Sequence, residues 1–236
     1  MSNPGDRVAA VRRLIAEQPP RPGGQGLLQR VCRAAAGALT ASGAGVSVMT
    51  ADGTRGISAA SDPASEHVEE LQFVLGEGPC IDAFTTARPV LVANLADGAT
   101  RRWPAYAPLA QEGGLRAVFA FPLQIGAARL GVLDVYRDRA GALTSDEIAC
   151  ALTFADVIVD VLLDRHPDAG TPDATDAVAY RAELFQAQGM VMVQLGVAID
   201  EAMARLRARA YAEDRPLGDV ARDVVAGRLQ LDPDLP

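Results

Sequence analysis

Gln186-Ala187-Gln188-Gly189-Met190-Val191-Met192 stands at the centre of a segment whose apolar residues recur at helical spacing. Leu184, Ala187, Val191 and Leu195 share one side of a helix expected over residues 177–195, and Phe185, Met192 and Val193 widen its apolar surface. Gly196 supplies a stop. A second helix is expected over 200–212, with Ala202, Leu206 and Ala210 in phase. It has Ala198 where a capping hydroxyl would be welcome, a loss of about 1 kcal/mol. Pro216 suits the first position of a third helix, where its missing amide hydrogen costs nothing, and Leu217, Val220, Ala221 and Val224 then face inward. The spacing predicts a three-helix bundle, a unit with no room for a catalytic pocket and of a size that serves recognition.

Upstream, Pro167, Gly170 and Pro172 among polar residues mark a linker over 165–176. Thr144-Ser145-Asp146-Glu147 has the form of a capping box, opening a helix that runs to about residue 163. Before it, two long strands, 115–125 and 129–137, are joined tightly at Gly126 and fit an antiparallel hairpin. Shorter strands are expected over 45–50, 54–60 and 89–95, with a turn at Ala51-Asp52-Gly53, and helices over 26–40, 64–75 and 103–112. Gly76-Glu77-Gly78-Pro79-Cys80 reads as a loop that tolerates unusual backbone angles. A helix over 7–17, carrying Val8, Val11, Leu14 and Ile15, is broken by the prolines and glycines of 19–24. The expected organisation is an N-terminal helix and linker (1–25), an α+β domain (26–164), a linker (165–176) and the helical unit (177–231).

The 236 residues carry a net charge of −8, which disfavours non-specific attraction to nucleic acid or anionic membranes without excluding a local basic face. Every basic side chain other than histidine is Arg. Cys32, Cys80 and Cys150 are odd in number and widely spaced, the pattern of neither a metal site nor a disulfide framework, so a reducing cytoplasm is expected. The first residues lack the charged and apolar regions of a signal peptide. The most apolar stretch, 117–136, is interrupted by Pro122, Gly126 and Arg129 and is not a spanning helix. His67 and His166 lack an evident metal or catalytic partner in the sequence.

Gln186-Ala187-x-Gly189, the run 190–192, Leu195-Gly196-Val197, Glu201-Ala202, Leu206-Arg207, Ala210 and Leu217-x-x-Val220-Ala221 together resemble an ANTAR domain, an RNA-binding module of bacterial antitermination regulators. Gly76-Glu77-Gly78-Pro79-Cys80, Pro89-Val90-Leu91-Val92, Phe121-Pro122-Leu123 and Gly131-Val132-Leu133 look like a GAF domain, a small-molecule-sensing fold. The whole is similar to the bacterial GAF–ANTAR transcriptional regulators. That resemblance implies an α+β GAF domain, its antiparallel sheet flanked by helices, followed by an all-α three-helix ANTAR bundle.

It further implies a non-enzymatic regulator that binds structured RNA as tandem stem-loops and acts by antitermination. A GAF small-molecule ligand and a homodimer are expected, with no membrane; no cofactor signature is recognisable. The candidate RNA contacts are Gln186, Gln188, Gly189, Arg205, Arg207, Arg215 and Arg222. Each also suits an ordinary solvated or packed helical position. Arg205 and Arg209 share one helix face while Arg207 points away. Gln188 stands where family members often carry Lys, and the acidic residues of the tail balance its arginines, so charge alone does not argue for RNA.

Phe73, Trp103, Phe119, Phe121 and Tyr136 are candidates to line a GAF ligand pocket with Cys80 on its rim, although aromatics at strand spacing also suit core. Two other functions compete: a protein-interaction and dimerisation module without RNA, and a GAF-type methionine sulfoxide reductase using Cys80. The latter needs a second thiol nearby, and Cys32 and Cys150 are distant in sequence.

Overall fold

The computed structural model describes residues 4–19, 26–49, 55–126, 128–163, 172–213 and 215–231. Its sheet consists of β1 (Gly43–Met49), β2 (Arg55–Ala60), β3 (Val90–Val92), β4 (Ala117–Ile125) and β5 (Ala128–Arg137). All neighbours are antiparallel, in the order β2-β1-β5-β4-β3. The expected hairpin closes at the Ile125–Ala128 pair, with Gly126 at φ +55°. The turn expected at 51–53 lies outside the described residues.

Strand alternation divides the core. Val118 pairs with Tyr136 and Ala120 with Asp134, whereas Phe119 pairs with Val135 and Phe121 with Leu133. Directly paired residues share a face, so the odd-numbered and even-numbered sets point in opposite directions. On one face, α1 (Pro4–Ala16), α2 (Leu27–Ala38) and α7 (Ser145–Leu163) pack Val11, Ile15, Val31, Phe154 and Ile158 against Phe119, Phe121, Leu133 and Val135. The N-terminal helix, expected with its linker over 1–25, packs its apolar face against α7 and α2. At the start of α7, the Glu147 amide donates to Thr144 Oγ1 at 3.2 Å and the Thr144 amide to Glu147 Oε2 at 2.7 Å. The capping box is formed.

On the other face lie α3 (Pro63–Leu75), α4 (Pro79–Thr86), α5 (Ala99–Arg102) and α6 (Tyr106–Glu112). Cys80, Phe84, Trp103 and Tyr106 pack there with Val118, Ala120, Val132 and Tyr136. Pro79, at the end of the expected loop, instead opens α4, because proline fits a first helical turn. The helix expected over 103–112 starts three residues later, at Tyr106 of α6, because Trp103 instead caps the short α5 before it.

The tail folds as α8 (Pro172–Leu195), α9 (Ile199–Ala212) and α10 (Leu217–Val225). α8 starts earlier than the expected residue 177, since Pro172 also opens a helix rather than breaking one. Ala198 caps α9 without a side-chain bond, as its residue type requires. Leu184, Ala187, Val191, Ala202, Leu206, Leu217, Val220 and Val224 form the bundle core, and Phe73 and Val74 of α3 belong to it. Sensor and tail are joined through that helix.

Candidate functional site

Gly76 and Gly78 shape the entrance to α4. Gly76 ends α3 at φ +66° and Gly78 stands at φ +138°, both in the region glycine favours. A Cβ on Gly78 would lie 2.6 Å from Gln72 Oε1, the atom that accepts the Cys80 amide at 2.8 Å and fastens α4 to α3. From Gln72 a buried network crosses to the sheet. Gln72 Nε2 donates to Tyr136 Oη at 3.4 Å, and Tyr136 Oη and Ser47 Oγ each donate to a Glu69 carboxylate oxygen at 2.6 Å. Gly45 makes room for that carboxylate, because a Cβ there would sit 2.1 Å from Glu69 Oε1. Glu77 Oε1 accepts the Ala105 and Tyr106 amides at 2.7 and 2.8 Å and so positions α6.

Of the six predicted pocket residues, Cys80, Trp103 and Tyr136 share one cluster. Around them are Glu69, Gln72, Tyr106 and Asp134, which the sequence reading missed. Burial first, and then the charges of Asp134 and Glu69, push the Tyr106 and Tyr136 phenols well above the ordinary tyrosine range. Both are neutral donors at physiological pH. Trp103 is spoken for: its indole donates to Asp82 Oδ2 at 3.1 Å and meets the Tyr106 ring edge-on at 6.4 Å.

The other three predicted residues are corrected by geometry. Phe119 and Phe121 face α1, α2 and α7, the opposite side of the sheet, for the parity reason given above. Phe73 faces the tail. Cys32 is buried on that opposite side, donating to the Ala59 carbonyl at 3.3 Å, with burial raising its thiol pKa. Cys150 lies on α7 against the same cluster. Among the described residues no second thiol accompanies Cys80, as the reductase reading requires. His67 is exposed, and His166 lies outside the described residues.

In the tail, Gln186 is exposed and lines a groove of about 570 Å³ with Gly189, Met190, Val193, Gln194 and Leu229. Gln188 points the other way. It is buried, and its Nε2 donates to the Ile199 carbonyl at 2.7 Å, bracing α8 against α9. Arg205 pairs with Glu201 at 3.0 Å, Arg215 with Glu213 and Asp223 at 3.0 and 2.5 Å, and Arg222 with Asp219 at 2.7 Å. Arg207 is different: its guanidinium lies 5.2 Å from the Phe73 ring centre, and desolvation lowers its pKa. Glu70 Oε1 accepts the Leu217 amide at 3.0 Å and clasps α10 to α3.

With this geometry the sheet domain defines the class: residues 25–162 match the family model described as a GAF domain, and the chain belongs to that family. Residues 173–225 match the ANTAR domain, which makes the architecture that of a GAF–ANTAR regulator. No curated protein matches the chain. Similar solved structures include the GAF domain of an Acinetobacter phosphoenolpyruvate-protein phosphotransferase: 14% identity, 69% of this chain, 95% of that one, TM-score 0.48. The equivalent domain from Coxiella burnetii is 19% identical over 69% of this chain and 98% of its own, with a TM-score of 0.46. A free methionine-R-sulfoxide reductase from Neisseria meningitidis, solved with its substrate, is 14% identical over 68% and 90%, with a TM-score of 0.42. No described helix is long and apolar enough to cross a membrane.

Proposed function

We propose that this chain is a cytoplasmic, signal-responsive transcription regulator whose helical tail binds structured RNA and prevents termination. Its GAF domain is the sensor, taking a small molecule as its signal. The observation that carries the reading is an ANTAR domain seated on α3 of the sensor, with Arg207 stacked over Phe73. RNA and α3 then compete for Arg207. A signal that shifts α3, whose Gln72 and Glu69 reach into the sensor interior, changes how readily the tail is released.

Gln186 and Gly189 open onto a groove of amide and apolar surface. Such a surface suits an unstacked loop base, which is read by stacking and hydrogen bonds to its edge. Arg205, Arg215 and Arg222 offer phosphate contacts once their carboxylate partners give way; exposed ion pairs are weak enough for that exchange. Gln188, turned inward, supports this face rather than joining it.

A mobility-shift assay with tandem stem-loop RNA tests the proposal. A specific retarded complex that weakens with Arg207→Ala is expected; no complex at low salt would sink it. A protein-interaction reading draws on Phe185, Met190 and Val193, which leave an apolar strip exposed along α8, with 39%, 40% and 78% of their surfaces open. That strip fits a second copy of the chain, and because Met190 and Val193 also line the groove offered to RNA, pairing through it competes with RNA there.

A further inference from the structure

The sheet face beneath α3 and α4 carries a second kind of chemistry. Glu69 from α3, Cys80 from the first turn of α4 and Asp134 from the middle of β5 each present one donor atom, and these lie within 4.8 Å of one another. All three residues are buried. Asp134 is flanked in the sheet by Gly45 and Ala120, and the Glu69 carboxylate fills the room that Gly45 leaves, which brings the two acids together. Glu69 is aimed by two hydroxyls, one on each oxygen, and each oxygen keeps a lone pair for another partner. A further group points to a ligand independently. Tyr106 is fully buried, and its Oη has no hydrogen-bond partner. It packs in the same cluster as Cys80, and the Asp134 and Glu69 carboxylates are near enough to act on its phenol.

We propose that Glu69, Cys80 and Asp134 form a binding site for a divalent transition-metal ion inside the sensor domain. Tyr106, whose phenol keeps its proton, stands beside it as a hydrogen-bond donor. One sulfur and two carboxylate oxygens are a mixed donor set. It suits a borderline ion such as Zn²⁺, Fe²⁺ or Co²⁺, whereas Mg²⁺ and Ca²⁺ favour oxygen alone. Zn–O and Zn–S distances of about 2.1 and 2.3 Å separate tetrahedral ligands by about 3.5 Å. The donors therefore close inward by at most about 1 Å on binding, within reach of side-chain rotation. Cys80 gives up its thiol proton to solvent as the metal–sulfur bond forms. Because Glu69 and Phe73 stand four residues apart on α3, one turn along the same side, inward movement of Glu69 acts on the helix that seats the tail. The site itself is independent of whether the tail binds RNA.

The test uses the full chain stripped with a chelator and titrated with CoCl₂. The expected result is about one equivalent of bound Co²⁺, a near-ultraviolet thiolate-to-cobalt band, and loss of that band on adding Zn²⁺ but not Mg²⁺. Cys80→Ser abolishes the band while Cys32→Ser and Cys150→Ser retain it. Asp134→Asn, which preserves shape and the thiol, weakens Co²⁺ binding by at least about tenfold. The proposal is overturned by absence of bound cobalt in the wild-type chain or by a band that persists in Cys80→Ser. It is equally overturned if Asp134→Asn binds as the wild type does, a result that stands even if Cys80→Ser fails to fold.

Discussion

Replacing Phe73 by Ala removes the surface on which the tail rests. The ring is 2% exposed and is shared between the bundle core and the Arg207 guanidinium above it. Truncating a buried Phe costs about 3–5 kcal/mol, of which a partly desolvated cation–π contact accounts for about 0.5–2. The tail can retreat and let Arg207 regain water, so the docking equilibrium loses the lower figure, about 3 kcal/mol. At about 1.4 kcal/mol per tenfold change, the undocked population rises by up to about 100-fold. If RNA binds only the undocked tail, its apparent affinity rises by up to that factor. Amide hydrogen exchange read by mass spectrometry should show faster exchange in α9 and in the last turns of α3. β4 and β5 should remain protected, because Phe73 lies outside both sheet cores. An unchanged RNA affinity together with unchanged exchange in α9 would refute the coupling.

Gln188→Ala should destabilise the tail by about 0.5–1.5 kcal/mol, through loss of a part-buried hydrogen bond to the Ile199 carbonyl; a denaturation midpoint equal to wild type would show that the bond contributes nothing. Thr144→Ala should cost about 1 kcal/mol through loss of the α7 cap, read in the same way. The hydrogen bond from the Thr144 amide and the ion pair with Arg137 hold the Glu147 carboxyl below its ordinary range, outweighing burial. Its contribution is therefore complete above the unfolded carboxylate pKa of about 4.3 and fades as pH falls through the lower folded value. The stability gap between wild type and Glu147→Gln should shrink on acidification, and a gap that widens would contradict this. Val193→Glu should dissociate a dimer formed through α8, and sedimentation showing the same species as wild type would place any interface elsewhere.

Much of this was legible in the chain. The tail is amphipathic at one period throughout, so Leu184, Ala187, Val191, Leu206 and Val220 announced their shared core. The long hairpin and the Thr144–Glu147 box were visible because each rests on local chemistry. Pro79 and Pro172 misled, because a proline that ends one helix and a proline that starts another look alike until the flanking residues are placed.

The pocket was half legible. Alternation alone separates Phe119 and Phe121 from Tyr136 once the hairpin register is fixed, and that register follows from the tight turn at Gly126. The buried acids were signalled by position: Asp134 interrupts an apolar strand, and Glu69 and Gln72 stand three apart among the apolar residues of α3. Their meeting with Cys80 depends on how α3 and α4 cross the sheet, which no local pattern records. The inward turn of Gln188 was likewise invisible, because a glutamine beside a helix core fits either direction. The docking of Arg207 on Phe73 spans two domains and has no signature in either.

In the proposed function the tail reads RNA and α3 restrains it. The most direct measurement is the affinity of the full chain for a tandem stem-loop RNA at low salt, wild type against Phe73→Ala. A retarded complex is expected for both, with the variant binding more tightly. No complex from either protein, with the helical content of both intact, would contradict it.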